Sequence, residues 1–280
     1  VRPTICVCIA TYRRPEGLKR LLLSILAQET NEEFVHTISV ADNDFHRSAE
    51  AVIRELNASG HQIIYDVEPE QNISLARNKA ILQCTSDYIA TTDDDLYVDS
   101  RWLIHLYRTI TNHEADVVHG PVVPRFHSKT PNYIKECGAF ERPNPPTGSS
   151  GNYIYTTANA LFRRRVIQEN SPPFDVQFGK SGGEDTVFFE NLKKQGYKQV
   201  WCQEALVYNP VPVERTSWRW ILLREFRIGN LHYRVYGRGP VDSKPTRKAK
   251  IRFLIKKIVR QCYPVPFYIC RGFVDARYAV

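Results

Sequence analysis

The chain has 280 residues, 42% hydrophobic and 24% charged, enough apolar material for a packed α/β domain and too much for wholesale disorder. The net charge of +8 is carried at one end. Residues 244–280 hold ten Lys and Arg against one acid, while the preceding 243 residues hold 28 basic against 29 acidic. A neutral body with no RNA-binding motif argues against a nucleic-acid partner, and a basic tail asks for an anionic one. In chain order, residues 4–10 read as a strand and 15–28 as a helix with Leu18, Leu21, Leu22 and Ile25 on one face. Residues 36–41 (strand), 47–59 (helix), 62–67 (strand), 74–83 (helix) and 88–92 (strand) continue the alternation. This order specifies a mostly parallel sheet covered on both faces, with its ligand crevice beyond the C-terminal strand ends.

From residue 101 the pattern changes. A helix over 102–112 leads to a strand at 116–121, and a Pro/Gly/Ser/Asn-rich stretch, 142–152, reads as a loop. A strand over 153–162, a helical turn, a loop over 172–183, a helix over 184–196 and a strand over 199–208 follow. From residue 249 the spacing of Ile251, Leu254, Ile255, Ile258, Val259 and Cys262 describes one apolar helical face, with Lys248, Lys250, Arg252, Lys256, Lys257 and Arg260 off it. The choice lies between a basic amphipathic helix on anionic lipid and a helix packed on the body with a solvated basic face. No stretch approaches the ~20 apolar residues of a membrane span, and the N-terminal residues read as a strand, not a signal peptide, so the expected location is the cytoplasm. Cys6 and Cys8 share one face of a buried strand without a nearby Cys or His pair, so the seven cysteines read as reduced, mostly buried thiols.

The polar clusters fall at strand ends. Asp93-Asp94-Asp95 follows an apolar strand; three adjacent carboxylates repel unless a cation neutralises them, which suits Mn²⁺ or Mg²⁺ shared with phosphates, although an acidic cap on the next helix has the same sequence. Gly182-Gly183-Glu184-Asp185 delivers two acids to a helix start, as a cap or as a base for an attacking hydroxyl. In Asn72-Ile73-Ser74-Leu75-Ala76-Arg77-Asn78, Ser74 reads as the N-cap and Arg77 emerges one turn in. His119, at a strand end before Gly120-Pro121, reads as a metal ligand or a structural side chain.

Together with Cys8-Ile9-Ala10-Thr11-Tyr12-Arg13-Arg14-Pro15, Ala41-Asp42-Asn43-Asp44 and Gly183-Glu184-Asp185-Thr186, these motifs resemble, in order and over residues 4–235, the inverting family 2 glycosyltransferases. The likeness is greatest to the bacterial branch that builds exopolysaccharides such as succinoglycan. The resemblance implies a GT-A (Rossmann-like) fold over 1–243, with a nucleotide-binding half at 1–100, an acceptor-binding half at 101–243 and the basic tail at 244–280. It implies that Thr11, Tyr12, Arg13, Asp42, Asn43, Arg77, Asp93 and Asp94 line a UDP-sugar pocket, and that Asp95, with Asp93, holds the metal, to which His119 is the further candidate ligand read from its strand-end position. It further implies Asp185 as the base with Glu184 as its neighbour, and Asn159, Arg224 and Arg227 on the acceptor or diphosphate side. A saccharide or lipid-linked acceptor at the inner membrane face would fit, as would single-sugar addition, since no Q-x-x-R-W run is present. The competing classes are a non-catalytic sugar-nucleotide binder and a nucleotidyltransferase; the first needs no base, and the second would carry a glycine-rich loop where Thr11–Pro15 has none.

Overall fold

The structure is a computed structural model and describes residues 2–151 and 155–236. Strand β1 (Thr4–Thr11) is a run of buried side chains from Ile5 to Ile9, as expected of a strand covered on both faces. Helix α1 (Pro15–Leu26) starts with proline at its first position, where no amide hydrogen bond is lost, and buries Leu18, Leu21, Leu22 and Ile25. Strand β2 (Val35–Asp42), helix α2 (Glu50–Ala58), strand β3 (Ile63–Val67), helix α3 (Ile73–Leu82) and strand β4 (Tyr88–Thr91) complete the first half. The expected start of α2 at residue 47 is moved to 50, because Arg47 has φ of 57°, outside the right-handed helical region.

Strand β5 (Tyr97–Val98) and helix α4 (Trp102–Asn112) precede β6 (Val117–His119) and β7 (Val122–Phe126). Then come α5 (Asn132–Lys135), β8 (Ala160–Arg163), α6 (Arg164–Glu169), α7 (Glu184–Lys194), β9 (Gln199–Trp201), β10 (Val207–Val211) and α8 (Trp218–Tyr236). The main sheet has seven strands in the order β3-β2-β1-β4-β8-β6-β9. All its neighbours run parallel except β8, which lies antiparallel between β4 and β6. This is the mostly parallel GT-A architecture. The strand expected over 153–162 is shorter, beginning at Ala160, and residues 152–154 lie outside those described. It is antiparallel because no full crossover helix carries the chain back across the sheet between β6 and β8. The single strand expected over 199–208 is two: β9 pairs with β6, and β10 turns away to pair antiparallel with β5 through Val207–Val98 and Tyr208–Tyr97.

The chain divides into two compact units, one of Val1–Val123 with Arg142–Asn209, the other of Pro124–Glu141 with the chain from Pro210 onward. The first unit contains the seven-stranded sheet and its two apolar cores, one per face. In the second, Ile134 and Cys137 pack with Ile221 of α8, Phe140 stacks on Trp220, and Arg224 donates to the Ala139 carbonyl at 2.8 Å. The expected tail helix and the boundary at 243/244 lie outside the described residues.

The thiols need one correction. Cys84, just past α3, is carried over the face of β1 that bears Cys6 and Cys8, and Cys6–Cys84 is a disulfide instead of a pair of free thiols. Cys8 remains free, with its sulfur 3.4 Å from that of Cys84, and burial raises its thiol pKa. Cys262 and Cys270 lie outside the described residues.

Candidate active site

Four chain segments meet at the C-terminal end of β1 and β4. The turn after β4 carries the three aspartates, and their carboxylates point in three directions. Asp94 turns inward and is 4% exposed. It accepts from the Thr11 hydroxyl at 2.9 Å, the Tyr12 amide at 3.3 Å and the Arg14 guanidinium at 2.8 Å. Burial raises its pKa, with Arg14 and Thr11 opposing. Asp93 and Asp95 remain at the surface of the crevice, their side chains 37% and 31% exposed. Arg14 reaches Asp95 as well, at 3.4 Å. The sequence reading passed over Arg14; the signal available was its place beside Thr11-Tyr12-Arg13 at the end of β1.

Helix α3 supplies the second element. Its N-cap is Asn72, not Ser74: the Asn72 side chain accepts from the amides of Ser74 and Leu75, and Ser74 instead donates its hydroxyl to the Asp175 carbonyl at 2.9 Å. Asn72 also donates to the Val176 carbonyl at 3.0 Å, and Asn78 exchanges two hydrogen bonds with the backbone of Phe174. These bonds fasten the loop over 172–183 to α3. Gly179 lies so close that a Cβ there would stand 1.6 Å from Asn72 Oδ1.

That loop delivers α7. Gly182 and Gly183 have φ of 77° and 99°, a left-handed pair that reverses the chain just before Glu184. Glu184 is buried, 5% exposed, and pairs with Arg77 of α3. Arg77, its side chain 15% exposed, also holds Asp93 at 2.8 Å. One guanidinium therefore joins the aspartate turn to the start of α7. Burial alone would lower the Arg77 pKa, but Asp93, Glu184 and Asp185 raise it further. Burial raises the Glu184 pKa despite Arg77, and Glu184 Oε2 has no hydrogen-bond partner among the described residues. Asp185, next along, is half-buried, with one oxygen accepting from the Thr186 amide and hydroxyl.

Several expected site residues are placed elsewhere. Asp42 is 0% exposed: Oδ1 accepts from the Asp44 amide, and Oδ2 from the Ala49 amide and the Tyr65 hydroxyl, so it shapes its own turn. Asn43 is buried and ties the Glu68, Glu70 and Asn72 backbone together. Thr11 and Asp94 are likewise consumed by each other. His119 is not brought to the aspartates. It is stacked on Tyr155 at 3.9 Å, edged by Phe189 and bonded to Gln199 at 3.1 Å, and burial pushes its pKa down to about 3. Asn159 is 1% exposed and saturated internally, accepting from the Trp102 indole and donating to the Pro121 and Ala205 carbonyls. Arg224 and Arg227 belong to the second unit; Arg224 lies over the rings of Phe140 and Trp220, and Arg227 is exposed. Among the expected site residues of the first unit, Tyr12, Arg13, Arg77, Asp93, Asp95 and Asp185 are not buried, nor is Arg14 beside them. Among the described residues, the sole group of three or more His, Cys, Asp or Glu side chains close enough for one ion is Cys6, Cys8 and Cys84.

The sequence profile described as "Glycosyl transferase family 2" matches residues 6–170. The chain is 36% identical over 232 residues to the succinoglycan biosynthesis protein ExoM of Rhizobium meliloti (strain 1021), an alignment covering 82% of this chain and 74% of that protein. Its fold is similar to S. aureus TarS 1-349 in complex with UDP, with TM-score 0.59 and 15% identity, covering 93% of this chain and 72% of that one. It is also similar to the mannosyltransferase PcManGT of Pyrobaculum calidifontis in complex with GDP-Man and Mn²⁺, with TM-score 0.60 and 16% identity over 100% of this chain and 76% of that one.

Proposed function

Because this chain is a member of glycosyl transferase family 2, we propose that it is an inverting, metal-dependent enzyme that moves a sugar from UDP to a saccharide hydroxyl in surface-polysaccharide synthesis. The observation that carries the reading is the Asp93–Arg77–Glu184 bridge, which joins two acidic motifs whose bridged residues are 91 positions apart in sequence. The donor set suits a hard divalent cation: Asp93 and Asp95 offer exposed carboxylate oxygens beside a crevice, and they would hold Mn²⁺ or Mg²⁺. The ion, when bound, supplies positive charge to the diphosphate leaving group. Tyr12 and Arg13, which lie together with the guanidinium 5.0 Å from the ring centroid, are suited to a nucleotide base and its phosphates.

Asp185 is the proposed base. It takes the proton from the acceptor hydroxyl as that oxygen attacks the anomeric carbon; the bond to the diphosphate oxygen breaks, its electron pair leaves with UDP, and the configuration inverts. Glu184 is the less suitable base, since it is buried and paired with Arg77, whereas Asp185 is partly exposed. The similarity to a succinoglycan biosynthesis protein supports an exopolysaccharide product, and the proposed acceptor is lipid-linked, at the inner face of the membrane. No helix among the described residues is long and apolar enough to cross a membrane. A slow-hydrolysis screen of UDP-, GDP- and dTDP-sugars with Mn²⁺ tests the donor without an acceptor, and calorimetry of UDP with and without Mn²⁺ tests the ion. Tighter UDP binding with Mn²⁺, lost in Asp95→Ala, is expected; equal affinity in both conditions would remove the metal from the reading.

A further inference from the structure

Helix α8 has an apolar stripe that no described residue of the second unit buries. Leu222, Leu223 and Phe226 are 51%, 55% and 54% exposed, and with Arg219 and Arg227 they follow the i, i+3, i+4, i+7, i+8 spacing of a single helix face. The opposite face is engaged: Ile221 is buried with Ile134 and Cys137, and Arg224 caps the Ala139 carbonyl. An i, i+3, i+4, i+7 apolar stripe is normally the face a helix turns towards a core. Here it is exposed, flanked by an arginine at each end, and contains no acid.

From this we infer that the Leu222–Leu223–Phe226 face of α8 is a membrane-docking surface, seated in the headgroup region of an anionic bilayer with Arg219 and Arg227 on lipid phosphates. Charge selects the occupant. A second copy meeting this face by two-fold symmetry would bring arginine against arginine with no acid on the stripe to neutralise them. The chain's own residues 244–280, with ten basic residues to one acid, offer almost no acid to pair with Arg219 and Arg227. An anionic lipid surface complements both parts of the face, the three apolar side chains by burial and the two arginines by charge. Nucleic acid would leave the apolar side chains unmatched. The helix lies on the bilayer instead of crossing it, because Arg219, Arg224, Glu225 and Arg227 interrupt any apolar span.

The inference rests on the membrane reading above for its partner, and the two can fail separately. The test is co-sedimentation of the full chain with phosphatidylglycerol-containing vesicles and with phosphatidylcholine vesicles, at low and high salt. Salt screens the charge contribution but not apolar insertion. The parent is therefore expected to keep part of its anionic-vesicle binding at high salt, and the variant Leu222→Ser/Leu223→Ser/Phe226→Ser to lose that fraction by about tenfold or more. The substitutions are on exposed side chains, and circular dichroism checks the fold. Leu223→Trp keeps the face apolar and should bind like the parent, with a blue-shifted emission on vesicles. Full-chain Lys248→Glu/Lys250→Glu/Lys256→Glu/Lys257→Glu tests the tail separately, through the low-salt binding. A parent that pellets with neither vesicle sinks the membrane reading. A parent that binds, beside a triple-serine variant that binds equally at both salts, overturns the α8 inference alone. So does a triple-serine variant that changes the mass in solution from two copies to one while leaving vesicle binding intact.

Discussion

Arg77 is the residue on which the candidate site turns, and its removal should have a pH signature. The guanidinium partners Glu184, a carboxylate 5% exposed, and Asp93. Burial already lifts the Glu184 pKa, and without Arg77 it rises further. The folded state then keeps a proton that the unfolded chain releases near pH 4.3, so stability falls as pH climbs from about that value to the raised one. Arg77→Ala is expected to cost about 3–5 kcal/mol at neutral pH. Urea midpoints should show a smaller deficit near pH 4 than at about pH 8; a deficit of the same size throughout would mean that Arg77 contributes packing, not charge. The catalytic assignment makes a different demand. Asp185→Asn should lower transfer by ~10²–10⁴-fold with UDP-sugar affinity nearly unchanged, while Glu184→Gln should act mainly on stability and less on turnover. Measured kcat and donor Kd for the pair decide this: a dead Glu184→Gln beside an active Asp185→Asn exchanges the two roles.

The elements reach the site through one docked loop. Gly179 abuts Asn72, which is pinned by bonds to Ser74, Leu75 and Val176 and cannot give way. Gly179→Ala should displace that cap and overpack the junction, costing about 1–3 kcal/mol. Because the same loop delivers α7, transfer should fall more than the melting shift alone explains; an alanine variant with parental Tm and activity would show the junction to be slack. This long-range docking was illegible in the sequence, where Asn72 and Gly179 are two loop residues 107 positions apart. The β1-to-β4 half was legible, because buried parallel strands are continuous apolar runs and their helices show a 3.6-residue period. The direction of β8 was not, since an apolar run reads the same for either orientation. Strand-end position points to where a crevice is expected, but it says nothing of which way a side chain turns. Asp42, Asn43 and Asp94 turned inward to satisfy local amides and hydroxyls, and only the coordinates separate them from Asp93 and Asp95.

At the scale of the molecule the unequal distribution of charge is the feature that fold and site leave unexplained. A glycosyltransferase acting on a lipid-linked acceptor must find a two-dimensional surface as well as a soluble donor, and on the proposed reading the two tasks would draw on separate parts of this chain. The proposed donor crevice belongs to the first compact unit, where Arg77 joins Asp93 to Glu184. The excess charge belongs to residues 244–280; removing them leaves 28 basic against 29 acidic residues. Each Lys or Arg near an anionic surface contributes about 1 kcal/mol, so the segment can dominate low-salt attraction. Deleting residues 244–280 should therefore abolish most binding to anionic vesicles at low salt and flatten its salt dependence. UDP affinity, read by calorimetry with Mn²⁺, should stay within a few-fold of the parent, because no residue of the proposed crevice is removed. A truncated chain that pellets as before would place the attraction elsewhere in the molecule. One that no longer binds UDP would make the basic segment part of the folded enzyme, and its charge would then have to be explained from the crevice outward.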